Sequence, residues 1–127
     1  MNKRYGLNVV LTMTTGIMLC QMDNICHICN DMTGMQLFTH DLVPVGKMVR
    51  EKLIDLYPEL EPVTVSFSDK PVTQAMVDLE VMRAANEHDL KLSYDVPLNS
   101  IQYDPNDGIG YVMKLDTLRN GILMLTI

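Results

Sequence analysis

Cys26-His27-Ile28-Cys29 sets two thiols three residues apart. Thiolates at that spacing hold zinc or exchange disulfides, and Cys20 and His40 would complete a four-ligand set. A lone Cys-x-x-Cys is a weak signal, and no second pair follows it. Helical spacing puts Cys29 on an apolar face, where cysteine acts as a small hydrophobe. The three cysteines are therefore expected to be free thiols, with no metal and no cofactor bound.

His40 stands between Thr39 and Asp41, where a loop runs into a helix. A neutral imidazole there could act as a base, oriented by Asp41 or by a more distant carboxylate. The competing reading is that Thr39, His40 and Asp41 together cap the helix, and every helix has free N–H groups to satisfy. His27 and His88 read as surface or helix-end histidines. Asp104-x-Asn106-x-Gly108 lacks the twelve-residue frame and closing glutamate of a calcium loop. There is no glycine loop to cradle phosphate and no Gly-x-Ser-x-Gly elbow. No complete catalytic set can be assembled, so the balance falls against an enzyme.

The elements that must position these residues are read from periodicity. Tyr5, Leu7, Val9, Leu11 and Met13 alternate with Gly6, Asn8, Val10 and Thr12, which predicts a strand with one buried face. Gly16 ends it. Asp23 can cap a short helix to about Met32, with Ile25, Ile28, Cys29 and Met32 on one face and Gly34 as the stop. The strongest helix starts near Pro44, capped by Asp41 or Thr39. Val45, Met48, Val49, Leu53 and Leu56 form its apolar stripe, and Lys47, Arg50, Glu51 and Asp55 its wet side. Val63, Val65 and Phe67 predict a second strand. Ser68-Asp69-Lys70-Pro71 reads as the start of a helix carrying Val72, Met76, Leu79 and Met82 to about Glu87. Leu90, Leu92, Tyr94 and Val96 alternate as a third strand that stops before Pro97. Asp104 to Gly108 is a turn cluster, and Asn120-Gly121 separates two last apolar segments, Ile109–Leu115 and Ile122–Ile127. The predicted fold class is α+β: one small domain over residues 1–127, a mostly antiparallel sheet packed against two or three helices.

The bulk numbers agree with a globular chain. The 127 residues are 47% hydrophobic and 20% charged, a balance that excludes disorder. Ten basic residues against sixteen acidic ones give a net charge of −6, which argues against direct nucleic-acid binding. The apolar runs are too short to span a membrane. The basic start, Met1-Asn2-Lys3-Arg4, superficially suggests a leader, but Asn8, Thr12, Thr14 and Thr15 interrupt the apolar stretch after it. An odd, sparse set of cysteines points to a reducing cytoplasm. Eleven methionines with no tryptophan and two phenylalanines leave the core to Met, Leu, Val and Ile. Methionine also furnishes adaptable binding surfaces.

Met32-Thr33-Gly34-x-x-Leu37-Phe38-Thr39-His40 resembles the central motif of an uncharacterised family of small tailed-bacteriophage and prophage proteins. The threonine-rich start Thr12-Met13-Thr14-Thr15-Gly16 and the stretch from Leu90 through Tyr94-x-Val96-Pro97-Leu98 to Asp104-Pro105 are similar to that family as well. The family usually continues through glutamine and leucine-proline to a basic residue. This chain instead has Asp41-Leu42-Val43-Pro44, with Val43 extra and no arginine after it. The resemblance implies a viral gene product made in the bacterial host cytoplasm, with no activity to transfer. Thr39, His40 and Asp104 become the candidate binding residues. The expected function is that of a non-enzymatic phage accessory protein that binds a host or phage protein, in counter-defence or host takeover. The alternative is a small-molecule or nucleotide binder, or a small enzyme, with a pocket around Thr39, His40 and Asp104. The almost wholly apolar Ile122–Ile127 also predicts a homodimer, because an exposed apolar edge invites association.

Overall fold

The computed structural model describes residues 1–68 and 70–105. Strand β1 (Asn2–Gly6) leads directly into α1 (Leu7–Thr15), followed by α2 (Met22–Thr33) and α3 (Leu42–Leu56). Helix α4 (Gln74–His88) and strand β2 (Ser93–Pro97) complete the described elements. Four helices and a two-stranded antiparallel sheet make an α+β domain, the predicted fold class.

The predicted strand over Tyr5–Met13 is corrected: only its first residues are extended, and Leu7–Thr15 is helical. The apolar residues occupy both parities, with Val9, Val10 and Leu11 in succession, and such a run fits a buried helix as well as a strand. In the fold, Leu7 and every residue from Val9 to Thr14 are buried. A helix enclosed on all sides has no polar face to reveal its period. Its threonines are satisfied locally: the Thr12 and Thr15 hydroxyls donate to the carbonyls of Asn8 and Leu11 at 2.8 and 2.6 Å. Thr12 Oγ1 also accepts from the Leu19 amide at 3.0 Å, which draws the returning chain into the core.

β1 pairs with β2 so that Tyr5 opposes Tyr94 and Arg4 opposes Asp95. The third predicted strand is thus found in part: it begins at Ser93 rather than near Leu90 and runs through Pro97. α2 ends as predicted at Gly34, whose φ of 70° is left-handed and whose amide bonds the Asn30 carbonyl at 2.8 Å. A β-carbon at Gly34 would also collide with the Asn99 side-chain oxygen. The remaining carbonyls at this helix end are taken by the chain beyond β2. Asn99 bonds Asp31, and both Ser100 and Ile101 bond Met32.

In α3 the predicted stripe is narrower than expected. Val45, Val49 and Leu53 are fully buried, Met48 is half-buried and Leu56 is exposed. The 3₁₀ turn Pro58–Leu60 carries Leu60 into the core instead. Pro44 falls in the first turn, where an amide has no helical partner. Arg50 is exposed as predicted, yet its Nε donates to the Thr14 carbonyl at 3.0 Å, so it closes the end of α1.

Residues 63–67 show the predicted alternation, with Val63 and Val65 buried, but the segment joins no strand among the described residues. Side chains of α4 serve its backbone in place of a neighbouring strand. Arg83 donates to the Thr64 carbonyl at 3.0 Å, and Glu80 accepts from the Ser66 amide at 2.9 Å.

Two expectations for α4 are corrected. It begins after Thr73, whose hydroxyl accepts from the Met76 amide at 3.3 Å, and not at Ser68–Pro71. Its buried face is Val77, Val81, Ala84 and Ala85, opposite the predicted Val72, Met76, Leu79 and Met82. The helix is apolar on two sides, and the side that carries the small Ala84 and Ala85 is the buried one, in a helix that packs on α1. Asp69, the turn after Asp104-Pro105 and the segments Ile109–Leu115 and Ile122–Ile127 lie outside the described residues.

Candidate functional site

The predicted Thr39, His40 and Asp41 form a 3₁₀ turn that leads into α3. Thr39 is exposed, the His40 side chain is 38% exposed, and Asp41 is buried at 1%. The Asp41 carboxylate folds back on its own turn: Oδ2 accepts from the Phe38 amide at 2.9 Å. It therefore caps the short turn rather than α3, whose start has no side-chain cap. Oδ1 accepts from the Tyr103 hydroxyl at 2.7 Å, a contact made across 62 residues of sequence.

His40 Nε2 lies 3.5 Å from Asp41 Oδ1, close enough for charge pairing once the ring is protonated. It is buried and makes no hydrogen bond among the described residues. Exposed Phe38 stacks on the His40 ring at 5.9 Å between centroids and 11° between planes. Burial first, then the hydrogen bond to Asp41, pushes the Tyr103 hydroxyl well above the usual phenol range, so it remains a donor. Asp104 is exposed, and its charge contributes to the same rise.

Of the residues predicted as a site, the structure thus joins Thr39 and His40 in one turn and sets Asp104 one residue beyond the tyrosine that closes it. Tyr103 itself was missed. A tyrosine next to the singled-out aspartate, in a chain with few aromatic residues, was the available signal. The clefts around Met48 and Asp55, around Asn30 and Asn99, and between α1 and α3 are lined by other residues than Thr39, His40 and Asp104.

The thiols occupy different environments. Cys20 and Cys26 are half-buried, whereas Cys29 is fully buried on the apolar face of α2, the position its spacing predicted. Burial first, and the neighbouring Cys26 second, push the Cys29 thiol up to about 12. Among the described residues no group of three or more His, Cys, Asp or Glu side chains is placed to hold a metal ion. Native protein at neutral pH is expected to leave Cys29 unreacted in a thiol titration, and all three thiols should react after unfolding. Fast labelling of Cys29 in the native state, or zinc retained stoichiometrically on elemental analysis, would contradict this.

A second tether fixes β1 to α2. Lys3 Nζ lies 3.0 Å from Asp31, and the Tyr5 hydroxyl donates to the same carboxylate. Burial works to raise the Asp31 carboxyl, but the bonds from Tyr5 and Lys3 outweigh it and hold the group below its ordinary value. Helix α4 turns Leu79 and Met82 outward at 72% and 45% exposure, and Val72 lies exposed just before it at 41%. Arg83, on the same side, is engaged by Glu80 and Glu87. No helix of the described residues is long and apolar enough to cross a membrane.

Fold and site together define a small α+β protein with a tyrosine–aspartate clasp at the start of α3 and an apolar outer face on α4. Residues 6–63, from the end of β1 through α3, match the family model of a domain of unknown function (DUF7736), consistent with an uncharacterised family. No curated protein and no solved structure matches the chain.

Proposed function

We propose that this protein is a non-enzymatic phage accessory protein that binds a host or phage protein in the bacterial cytoplasm, in counter-defence or host takeover. The observation that carries the reading is the outer face of α4. A helix normally turns its apolar residues inward, yet Leu79 and Met82 point to solvent while Val77, Val81, Ala84 and Ala85 fill the core. Large apolar side chains grouped on one exposed helix face mark interaction surfaces. Asp78, Glu80 and Glu87 flank this face with Arg83 as the one cation among them, so the rim is net negative. The partner that fits is a protein with an apolar strip bordered by lysine or arginine. Self-association through Ile122–Ile127 remains part of the reading.

Leu79→Glu is expected to abolish capture of a partner from bacterial lysate that the wild-type chain retains. Its unfolding free energy should stay within about 0.5 kcal/mol of wild type, because the residue is exposed. Equal capture by both proteins would remove α4 from the interface. His40 Nε2, buried and without a hydrogen bond among the described residues, favours the second reading, a small-molecule or nucleotide site or small enzyme around Thr39, His40 and Asp104. Native mass spectrometry of the purified chain, showing a retained small ligand that is lost in His40→Ala, would select it.

A further inference from the structure

Gly46 lies inside α3, where glycine is a poorer helix former than alanine. Among the described residues nothing around it demands glycine: an added β-carbon would meet only the Met13 methyl, at the ordinary contact distance of 4.0 Å. What the missing side chain does is leave open the floor of a cleft of about 430 Å³ between the end of α1, the start of α2 and α3. Met13, Met18, Ile25 and Val43 supply apolar walls, and Lys47 and Arg50 stand among the lining residues. The Thr12 and Thr15 hydroxyls there are already committed to the backbone.

The charge at this cleft runs against the rest of the molecule. In a chain of net charge −6, the two charged residues that line it are both positive. Arg50 is steadied by its bond to the Thr14 carbonyl. Lys47 has no carboxylate within ion-pair distance among the described residues. Ile17 and Met18 are exposed beside the cleft, so the apolar surface continues past its mouth. An apolar floor with a few convergent polar groups is the pattern of a binding site, and methionine walls adapt to their occupant.

We propose that this cleft is a docking site for a peptide segment of a partner protein in which an apolar side chain is flanked by carboxylates. The apolar side chain enters over Gly46, and the carboxylates pair with Lys47 and Arg50. Every lining residue falls within the 6–63 stretch matched by the family model, whereas α4 lies outside it. The chemistry is opposite to that of the α4 face, so this site stands or falls independently of it.

The test is fluorescence anisotropy on the full chain with a short labelled peptide alternating leucine and glutamate. Two control peptides carry lysine for glutamate and serine for leucine. The acidic leucine peptide should bind saturably, weaken with salt, and lose about tenfold or more in affinity with Lys47→Glu and with Gly46→Leu. Gly46→Ala should keep binding while unfolding at higher denaturant. Lys47 is exposed, so its variant decides the matter should Gly46→Leu fail to fold. Leu79→Glu should bind the peptide unchanged, which separates this site from the α4 reading. No binding by the wild-type chain, equal binding of the lysine peptide, or full affinity in a folded Gly46→Leu would overturn the proposal. So would light scattering that shows an oligomer dispersed by Lys47→Glu, because the occupant would then be a second copy of the chain.

Discussion

Leu53→Ala is expected to lower the stability of the protein by about 2–5 kcal/mol, shifting the denaturant midpoint with little change in slope. Leu53 is 0% exposed and continues the stripe of Val45 and Val49 that faces α1 and α2. Truncation removes the transfer free energy of the lost carbons, and burial of a leucine side chain contributes roughly 1.5–3 kcal/mol. It also leaves a cavity, since helices locked on three sides close up only in part. A domain of this size has about 5–15 kcal/mol in total, so the variant loses a large share of it. Arg50→Ala would be the natural wet-face control from sequence alone, but its bond to Thr14 gives it a structural role of its own. Glu51→Ala is the better control, exposed on the same helix, and should change stability by less than about 0.5 kcal/mol. A larger loss for Glu51→Ala than for Leu53→Ala would mean that the helix is rotated from the orientation described.

The second large effect is expected at Asp41. Its carboxylate is 1% exposed and accepts from the Phe38 amide and the Tyr103 hydroxyl. Hydrogen bonds to a charged group contribute roughly 1.5–3 kcal/mol each, and a buried donor left without its acceptor costs about 1–3 kcal/mol. Asp41→Ala should therefore cost about 2–4 kcal/mol, because it strands a part-buried hydroxyl and an amide and frees the segment that Tyr103 ties to the Thr39–Asp41 turn. Tyr103→Phe removes one of the two bonds and should cost about 1–2 kcal/mol. The two effects should not add, because the residues share one contact. If Asp41→Ala were instead neutral or stabilising, the carboxylate would be kept buried at a cost to folding, as functional groups are. That result would move Thr39, His40 and Asp104 to the front of the functional reading.

Some features of this protein were legible in its residues. Gly34 after an apolar helical run marked the end of α2, because a left-handed cap suits glycine and almost nothing else. Cys29 on an apolar face, the start of α3 near Pro44, and the alternation of Tyr94 and Val96 before Pro97 depend on spacing along a single element. Local physics was enough for these. Composition and charge likewise indicated a globular, acidic chain, and the mix of helical and alternating segments gave the α+β class. Thr39 and His40 fell together because they are neighbours in the chain.

Packing between elements settled the rest. Leu7–Thr15 is a helix buried along nearly its whole length, and such burial erases the polar face from which a period is read. α4 offers two apolar faces, and only packing against α1 chose the alanine side, leaving Leu79 and Met82 to solvent. The segment Val63–Phe67 alternates like a strand, yet its backbone is served by Arg83 and Glu80. Tyr103 reaches Asp41 across 62 positions, and no local pattern encodes a bond between groups so far apart. The single sequence carries periodicity and capping, which act within a few residues. Which of two apolar faces is buried, and which distant hydroxyl meets a buried carboxylate, are decided by the competition of whole elements for one core.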